Sequence, residues 1–207
     1  MIKKTKKSPI AKTSKRKAKV KATTKSSSKI TSKVSSKLQV KATGKTAESH
    51  LNRSLAVGSR VPNFTLPGVP SGPFELEKMK GQKVVLYFYP KDSTPGCTVE
   101  GIDFNRLKEK FARLNTVVFG ISRDSLASHQ KFIHKFRFRF DLLSDADEKI
   151  CQLFDVIKEK NMYGKKVMGI ERSTFVINED QVLIGEFRKV KAEGHAEAIL
   201  EFVKENS

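Results

Sequence analysis

The chain has 207 residues, 41 Lys or Arg against 22 Asp or Glu, and a formal net charge of +19. Its two cysteines, Cys97 and Cys151, are too few for the disulfide framework of a small secreted domain, so a reducing, cytoplasmic setting is expected. No apolar run of about 18 residues reads as a membrane span, and Ile10 and Val20 stand alone among lysines where a secretory signal would carry its apolar core.

The charge divides the chain. Residues 1–50 hold 16 basic residues and one acidic residue, Glu48, for a net +15, while the other 157 residues carry net +4. Residues 1–53 are rich in Lys, Ser and Thr and poor in large apolar groups, which predicts a tail that cannot offset its ordering entropy and is disordered when free. Within it Lys21, Lys25, Lys29, Lys33, Lys37, Lys41 and Lys45 recur at every fourth position. On a helix they would form one basic stripe, which self-repulsion opposes in water and a polyanion would relieve.

A globular domain is predicted over residues 54–207. Pro67, Gly68, Pro70, Gly72 and Pro73 mark an early loop. Lys83 to Tyr89 (KVVLYFY) is a continuous β-branched and aromatic run, the pattern of a strand buried on both faces. Pro90 to Gly96 is a loop, and Thr98 to Leu114 has helical spacing in Ile102, Leu107, Phe111 and Leu114. Thr116 to Ile121 is a second buried strand, and Ser125 to Phe136 a helix capped by Asp124 or Ser125. Leu142 to Asp145 is a short segment, Glu148 to Phe154 a helix, and Ser173–Ile177 with Val182–Phe187 a hairpin around Asn178 to Gln181. A last amphipathic helix follows Gly194. This order is α/β with a central mixed sheet flanked by helices, and its first strand-to-helix loop falls where such sheets place their chemistry.

That loop, Tyr89 to Thr98, reads YPKDSTPGCT. A cysteine in the first turn of a helix meets unpaired backbone N–H groups and the positive end of the helix dipole, which favour the nucleophilic thiolate. Thr94 can offer its hydroxyl to the sulfur or to a bound oxygen, and Pro90 can shield the sulfur from bulk water. Spacing alone leaves Cys97 open to two readings, a reactive thiol or a small buried core residue.

Pro90-x-x-x-Thr94-x-x-Cys97 resembles the active-site pattern of the peroxiredoxins, and the string from Tyr87 to Val99 is similar to the subgroup called bacterioferritin comigratory protein or peroxiredoxin Q. The likeness continues through Phe119–Ser122, Leu142–Asp145, Gly169–Ile177 and Gly194-His195, and spans about Val57 to Val203. The resemblance implies a thioredoxin-like fold and reduction of hydrogen peroxide and organic hydroperoxides. It implies that Cys97 is the peroxidatic nucleophile, passing through a sulfenic acid, and that Arg172 stabilises the thiolate and polarises the peroxide. It implies no bound cofactor. Thioredoxin, glutaredoxin or a small thiol is the expected reductant, and a monomer or weak dimer the expected state. No metal-ligand spacing is visible among His50, His129, His134 and His195.

The chain departs from the subgroup in its second thiol. Five residues after Cys97, where many members carry a resolving cysteine, stands Ile102, and the helix Ser125 to Phe136 has no cysteine. Cys151 lies on an apolar helical face and reads as a buried, inert thiol, which leaves resolution to an outside thiol. The competing reading is a Cys97–Cys151 disulfide, which needs Cα atoms within about 7 Å.

Three readings of the tail compete: a sequence-independent anchor to DNA or RNA, which would place the protein at a nucleoid or nucleus; an organelle transit peptide; and a solvated tail. No aromatic residue occurs in residues 1–50, so binding would use the phosphate backbone only. Two function classes follow, a peroxidase, or a catalytically weak basic-tailed DNA-binding protein built on a peroxiredoxin-like domain.

Overall fold

The computed structural model describes residues 55–207 apart from 163 and 164. The basic tail, with its spaced lysines and the expected boundary at residue 54, lies outside the described residues. Short strands β1 (Thr65–Leu66), β2 (Gly68–Val69) and β3 (Phe74–Glu75) lead to β4 (Lys83–Phe88). Then come α1 (Pro95–Arg113), β5 (Thr116–Ser122), α2 (Leu126–Phe136), β6 (Leu142–Ser144) and α3 (Lys149–Leu153). Strands β7 (Ile157–Met162), β8 (Lys165–Ile170), β9 (Ser173–Ile177) and β10 (Leu183–Phe187) precede α4 (His195–Glu205).

The central sheet has six strands in the order β10-β9-β4-β5-β6-β2. Strands β4, β5 and β6 are parallel neighbours, whereas β9 runs antiparallel to β4. The sheet is mixed, as the element order predicts, and the chain has the thioredoxin-like α/β architecture. Every residue of β4 is buried, because both faces are covered. Val84, Leu86 and Phe88 point to one layer with Phe64, Phe74, Ile150 and Phe154. Val85, Tyr87 and Tyr89 point to the other, with Phe104, Phe111, Phe132 and Ile199 of α1, α2 and α4. Each such phenylalanine contributes about 1.5–3 kcal/mol on leaving water.

Helix α1 begins three residues earlier than spacing suggested. Thr94 is its N-cap and Pro95 its first residue, a position where the missing N–H is no loss. Ser125, not Asp124, caps α2, accepting from the Ser128 amide. The β7–β8 hairpin was not expected, since IKEKNM and KKVMGI carry no sustained apolar alternation. The Asn178–Gln181 turn is as expected, with Asn178 Oδ1 accepting from the amides of Asp180 and Val182.

Candidate active site

The parallel pairing of β4 with β5 sends α1 back across the sheet from the carboxyl end of β4. Cys97 therefore sits in the third helical position of α1, where its own amide and that of Gly96 have no partner one turn back inside the helix. Thr98 makes the first helical bond, to the Thr94 carbonyl, at 2.9 Å.

The antiparallel pairing of β9 with β4 sets Ser173 opposite Phe88. Arg172, which immediately precedes β9 rather than lying within it, is thereby carried to the loop that follows β4. Its Nη2 donates to Cys97 Sγ at 3.3 Å, and its Nη1 donates to Glu100 Oε2. A guanidinium between a sulfur and a carboxylate favours negative charge on both. Burial works against the Arg172 charge, but Glu100 and Cys97 outweigh it and raise its pKa further. Gly96 makes room for this contact, since a Cβ there would lie 3.2 Å from Arg172 Nη2.

Glu100, one turn along α1 from Cys97, is fully buried. Burial pushes its carboxyl up to about 7, against the pull of Arg172. Its Oε1 and the Tyr87 hydroxyl, both buried, have no hydrogen-bond partner among the described residues. Burial, with Glu100 and Cys97 adding to it, raises the Tyr87 pKa, so the phenol stays neutral. Tyr87 stacks on Phe104 and Tyr89, with ring centroids at 4.7 and 5.5 Å, which floors the site with apolar surface. His195, the first residue of α4, faces Thr174 Oγ1 at 2.8 Å through Nε2. Burial, and then the Arg172 charge, hold its pKa down to about 4.

The loop before Cys97 is held by a second polar cluster. Asp92 is buried and accepts from Tyr89 Oη at 2.8 Å and Ser128 Oγ at 2.7 Å, with His129 Nδ1 at 2.9 Å. The Asp92 amide donates to Asp124 Oδ2 at 2.9 Å, and His129 Nε2 faces the Leu143 carbonyl at 3.2 Å. Burial opposes the Asp92 charge, yet the bonds from His129, Ser128 and Tyr89 prevail and lower its pKa. These contacts tie the loop to α2 and β6.

Of the residues singled out in sequence, the structure brings Cys97 and Arg172 into contact and places Pro90, half-buried, at the end of β4. The Thr94 hydroxyl does not meet the sulfur. It donates to the Lys91 carbonyl at 3.0 Å, three residues back. Cys151 is fully buried in the opposite layer of the core, so the sheet separates the two thiols. Burial, then the Asp145 carboxylate, push its thiol pKa far up. Sequence reasoning gave no role to Glu100, Tyr87, Asp92, His129 or His195. It also missed Lys160, whose ammonium donates to the Ile170 carbonyl two residues before Arg172. Among the described residues no group of three or more His, Cys, Asp or Glu side chains is placed to hold a metal ion, and no helix is long and apolar enough to cross a membrane.

Comparison with known proteins agrees with this architecture. The AhpC/TSA family model matches residues 57–185. The peroxiredoxin Bcp of Xanthomonas campestris is 52% identical over 68% of this chain and 89% of its own length. The Bacillus subtilis peroxiredoxin Bcp is 44% identical over 74% of this chain and 98% of its own. A structure of Xylella fastidiosa PrxQ superposes with a TM-score of 0.71 at 43% identity, covering 74% of this chain and 98% of that one. The bacterioferritin comigratory protein of Xanthomonas campestris superposes with a TM-score of 0.66 at 49% identity, over 69% and 91%. The thioredoxin-like sheet, the thiol at the start of α1 and these relatives lead to one assignment: the chain belongs to the AhpC/TSA family, as a peroxiredoxin of the Bcp or peroxiredoxin Q type.

Proposed function

We propose that Cys97 is the peroxidatic thiol, and the observation that carries this is the Arg172 guanidinium 3.3 Å from its sulfur at the start of α1. The thiolate attacks the terminal oxygen of a hydroperoxide. An S–O bond forms, the O–O bond breaks, and the electron pair leaves with the alkoxide or hydroxide, which takes a proton to become alcohol or water. The sulfur, oxidised by two electrons, becomes a sulfenic acid. Arg172 stabilises the thiolate before the step and the departing oxygen during it, the differential stabilisation that lowers a barrier. Thr94, with its donor held by Lys91, offers lone pairs to the hydroperoxide O–H, and Pro90 limits water at the sulfur. Reduction of organic hydroperoxides as well as hydrogen peroxide is supported by the alkyl peroxide reduction activity of the Xanthomonas campestris protein.

The sulfenic acid is resolved by an outside thiol. One thiol condenses with it to a mixed disulfide and water, and a second releases Cys97. The position of Cys151 behind the sheet supports this over an internal disulfide. Thioredoxin, glutaredoxin and a small thiol are the candidate donors. Peroxide consumption with each supplied in turn identifies the donor. Mass spectrometry after one equivalent of peroxide tests the cycle: a trapped Cys97 sulfenic acid is expected, and a Cys97–Cys151 disulfide would overturn it.

The tail, with net +15 in residues 1–50, anchors the enzyme to DNA or RNA through Lys21, Lys25, Lys29, Lys33, Lys37, Lys41 and Lys45, without sequence preference. This holds a peroxide scavenger at the molecule it protects. Protein lacking residues 1–50 should keep its turnover and leave a DNA column at lower salt. Equal elution salt would end the anchor reading, and a mature protein isolated without the tail would replace it with a transit peptide.

A further inference from the structure

The positive charge of the folded part is concentrated in one stretch of the chain. Residues 104–140 hold nine Lys or Arg and two acidic residues, net +7. Residues 55–207 together hold 24 basic and 21 acidic residues, net +3, so the remainder of the fold is net −4. The fold joins the two basic helices. Asn105 Nδ2 donates to the Arg137 carbonyl at 3.3 Å, and the Arg139 amide donates to Asn105 Oδ1 at 2.7 Å. The Phe138 ring packs so close to Gly101 that a Cβ there would come within 2.6 Å of it. The second half of α1 and the C-terminal end of α2 therefore form one ridge.

Three of the nine cations are engaged: Arg106 by Asp103 and Glu197, Arg123 by Glu148, and Arg139 by Glu109. Lys108, Lys110, Arg113, Lys131, Lys135 and Arg137 have no acidic partner within 4.0 Å among the described residues. Helix C-termini attract cations, which accounts for Lys110, Arg113 and Lys135 in the last turns. It does not account for Lys108 or Lys131, which lie before those turns. A cleft of about 660 Å³ opens beside Lys135, Arg137 and Arg139.

We propose that this ridge is a second, folded contact for the phosphate backbone of a nucleic acid. The large exposed apolar side chains of α1 and α2, Val99, Ile102 and Leu126, lie toward the helix starts, so the ridge offers nothing to insert into a lipid surface. Phe138 and Phe140 are buried between the cations, and the half-buried Phe136 ring lies under the Lys135 ammonium at 5.2 Å, so the contact proposed is with phosphate and not base stacking. Arg106 is nine residues beyond Cys97, about 13 Å along the helix, so a bound strand leaves the thiol open. The choice of partner rests on the reading of the tail given above; the surface itself does not.

The test uses the full chain with Lys131→Glu, Lys135→Glu and Arg137→Glu together, and random-sequence duplex DNA titrated at several salt concentrations. Losing three phosphate contacts should reduce the log–log salt slope by about 2–3, with peroxide turnover unchanged as the check on folding. If turnover falls, Gln at the same three positions replaces Glu, and the slope should still fall. A control with Lys80→Glu, Lys189→Glu and Lys191→Glu changes net charge equally off the ridge and should move the slope less. A ridge variant that matches wild type, or a control that matches the ridge variant, overturns the proposal. So would loss of binding to anionic phospholipid vesicles with DNA binding intact. Changing the seven spaced tail lysines to Gln separates the readings: a slope lowered by the tail set alone rejects the ridge and keeps the tail, and one lowered by the ridge set alone does the reverse.

Discussion

The two cysteines occupy opposite faces of one sheet and are hidden to nearly the same degree, 2% and 0% exposed. Their surroundings differ in charge. Cys97 receives a guanidinium at 3.3 Å and lies where a helix begins. Cys151 lies over the Asp145 carboxylate, which already accepts from the Cys151 amide at 2.6 Å, and burial with that charge holds its proton firmly. Equal burial therefore does not give the two thiols equal surroundings. What separates them is the sign of the charge that the fold aims at each sulfur.

The largest expected effect breaks the comparison outright. Cys97→Ser should abolish peroxide consumption, whereas Cys151→Ala should leave most of it. Equal loss in both would make Cys151 a partner in turnover despite the intervening sheet. Next in size, Arg172→Met should slow sulfenic acid formation by at least tenfold, measured by rapid mixing with peroxide. A charge-assisted hydrogen bond contributes on the order of 1.5–3 kcal/mol, and about 1.4 kcal/mol is a factor of ten. Unchanged kinetics would detach Arg172 from the chemistry.

A third prediction sharpens the comparison through pH. Glu100, raised from 4.5 to about 7, keeps a proton in the folded state that the unfolded chain releases. Its contribution to stability is full below pH 4.5 and is lost as pH rises through 7. His195, lowered from 6.5 to about 4, works in the other direction: its contribution is full above pH 6.5 and is lost as pH falls through 4. The two slopes oppose each other where they overlap. Removing one with Glu100→Gln should make unfolding free energy climb relative to wild type between pH 4.5 and 6.5, by up to about 3 kcal/mol. Denaturant melts at three pH values check this, and parallel profiles would show that Glu100 titrates alike in both states. The smallest effect belongs to Gly96→Ala. Its new methyl, 3.2 Å from Arg172 Nη2, should shift the guanidinium by a few tenths of an ångström and slow the peroxide step about two- to fivefold. A rate equal to wild type would mean that Arg172 has slack.

The sequence revealed most where a pattern is local. The run from Lys83 to Tyr89, the helix read from Thr98 to Leu114 (though its Ile102 is exposed) and the turn at Asn178 follow from spacing and turn chemistry, and Cys97 with Arg172 follows from family strings. What was hidden depends on partners far apart in the chain. Asp92 and His129 are 37 residues apart and look like a loop acid and a surface histidine until β5 and α2 bring them together. Glu100 reads as an exposed helix carboxylate, because nothing nearby shows that Arg172, 72 residues on, will lie beneath it. The β7–β8 hairpin pairs charge-rich segments whose alternation carries no apolar signal. The contact between Thr94 and Lys91 was missed for the opposite reason: Lys91 and Cys97 are equally near Thr94 in the chain, and only the conformation of the loop selects between them.

The register that sets Ser173 opposite Phe88 also fixes when Cys97 can meet Arg172 during synthesis. A growing chain presents Cys97 long before Arg172 exists, and the guanidinium arrives only once β9 has been made and has docked on β4. Until then the sulfur lacks its cation, and nothing in the nascent chain sets Cys97 apart from Cys151. On the role proposed for Cys97, reactivity toward peroxide is a property of the completed sheet, and its appearance would mark the moment the carboxyl-terminal hairpin is in place.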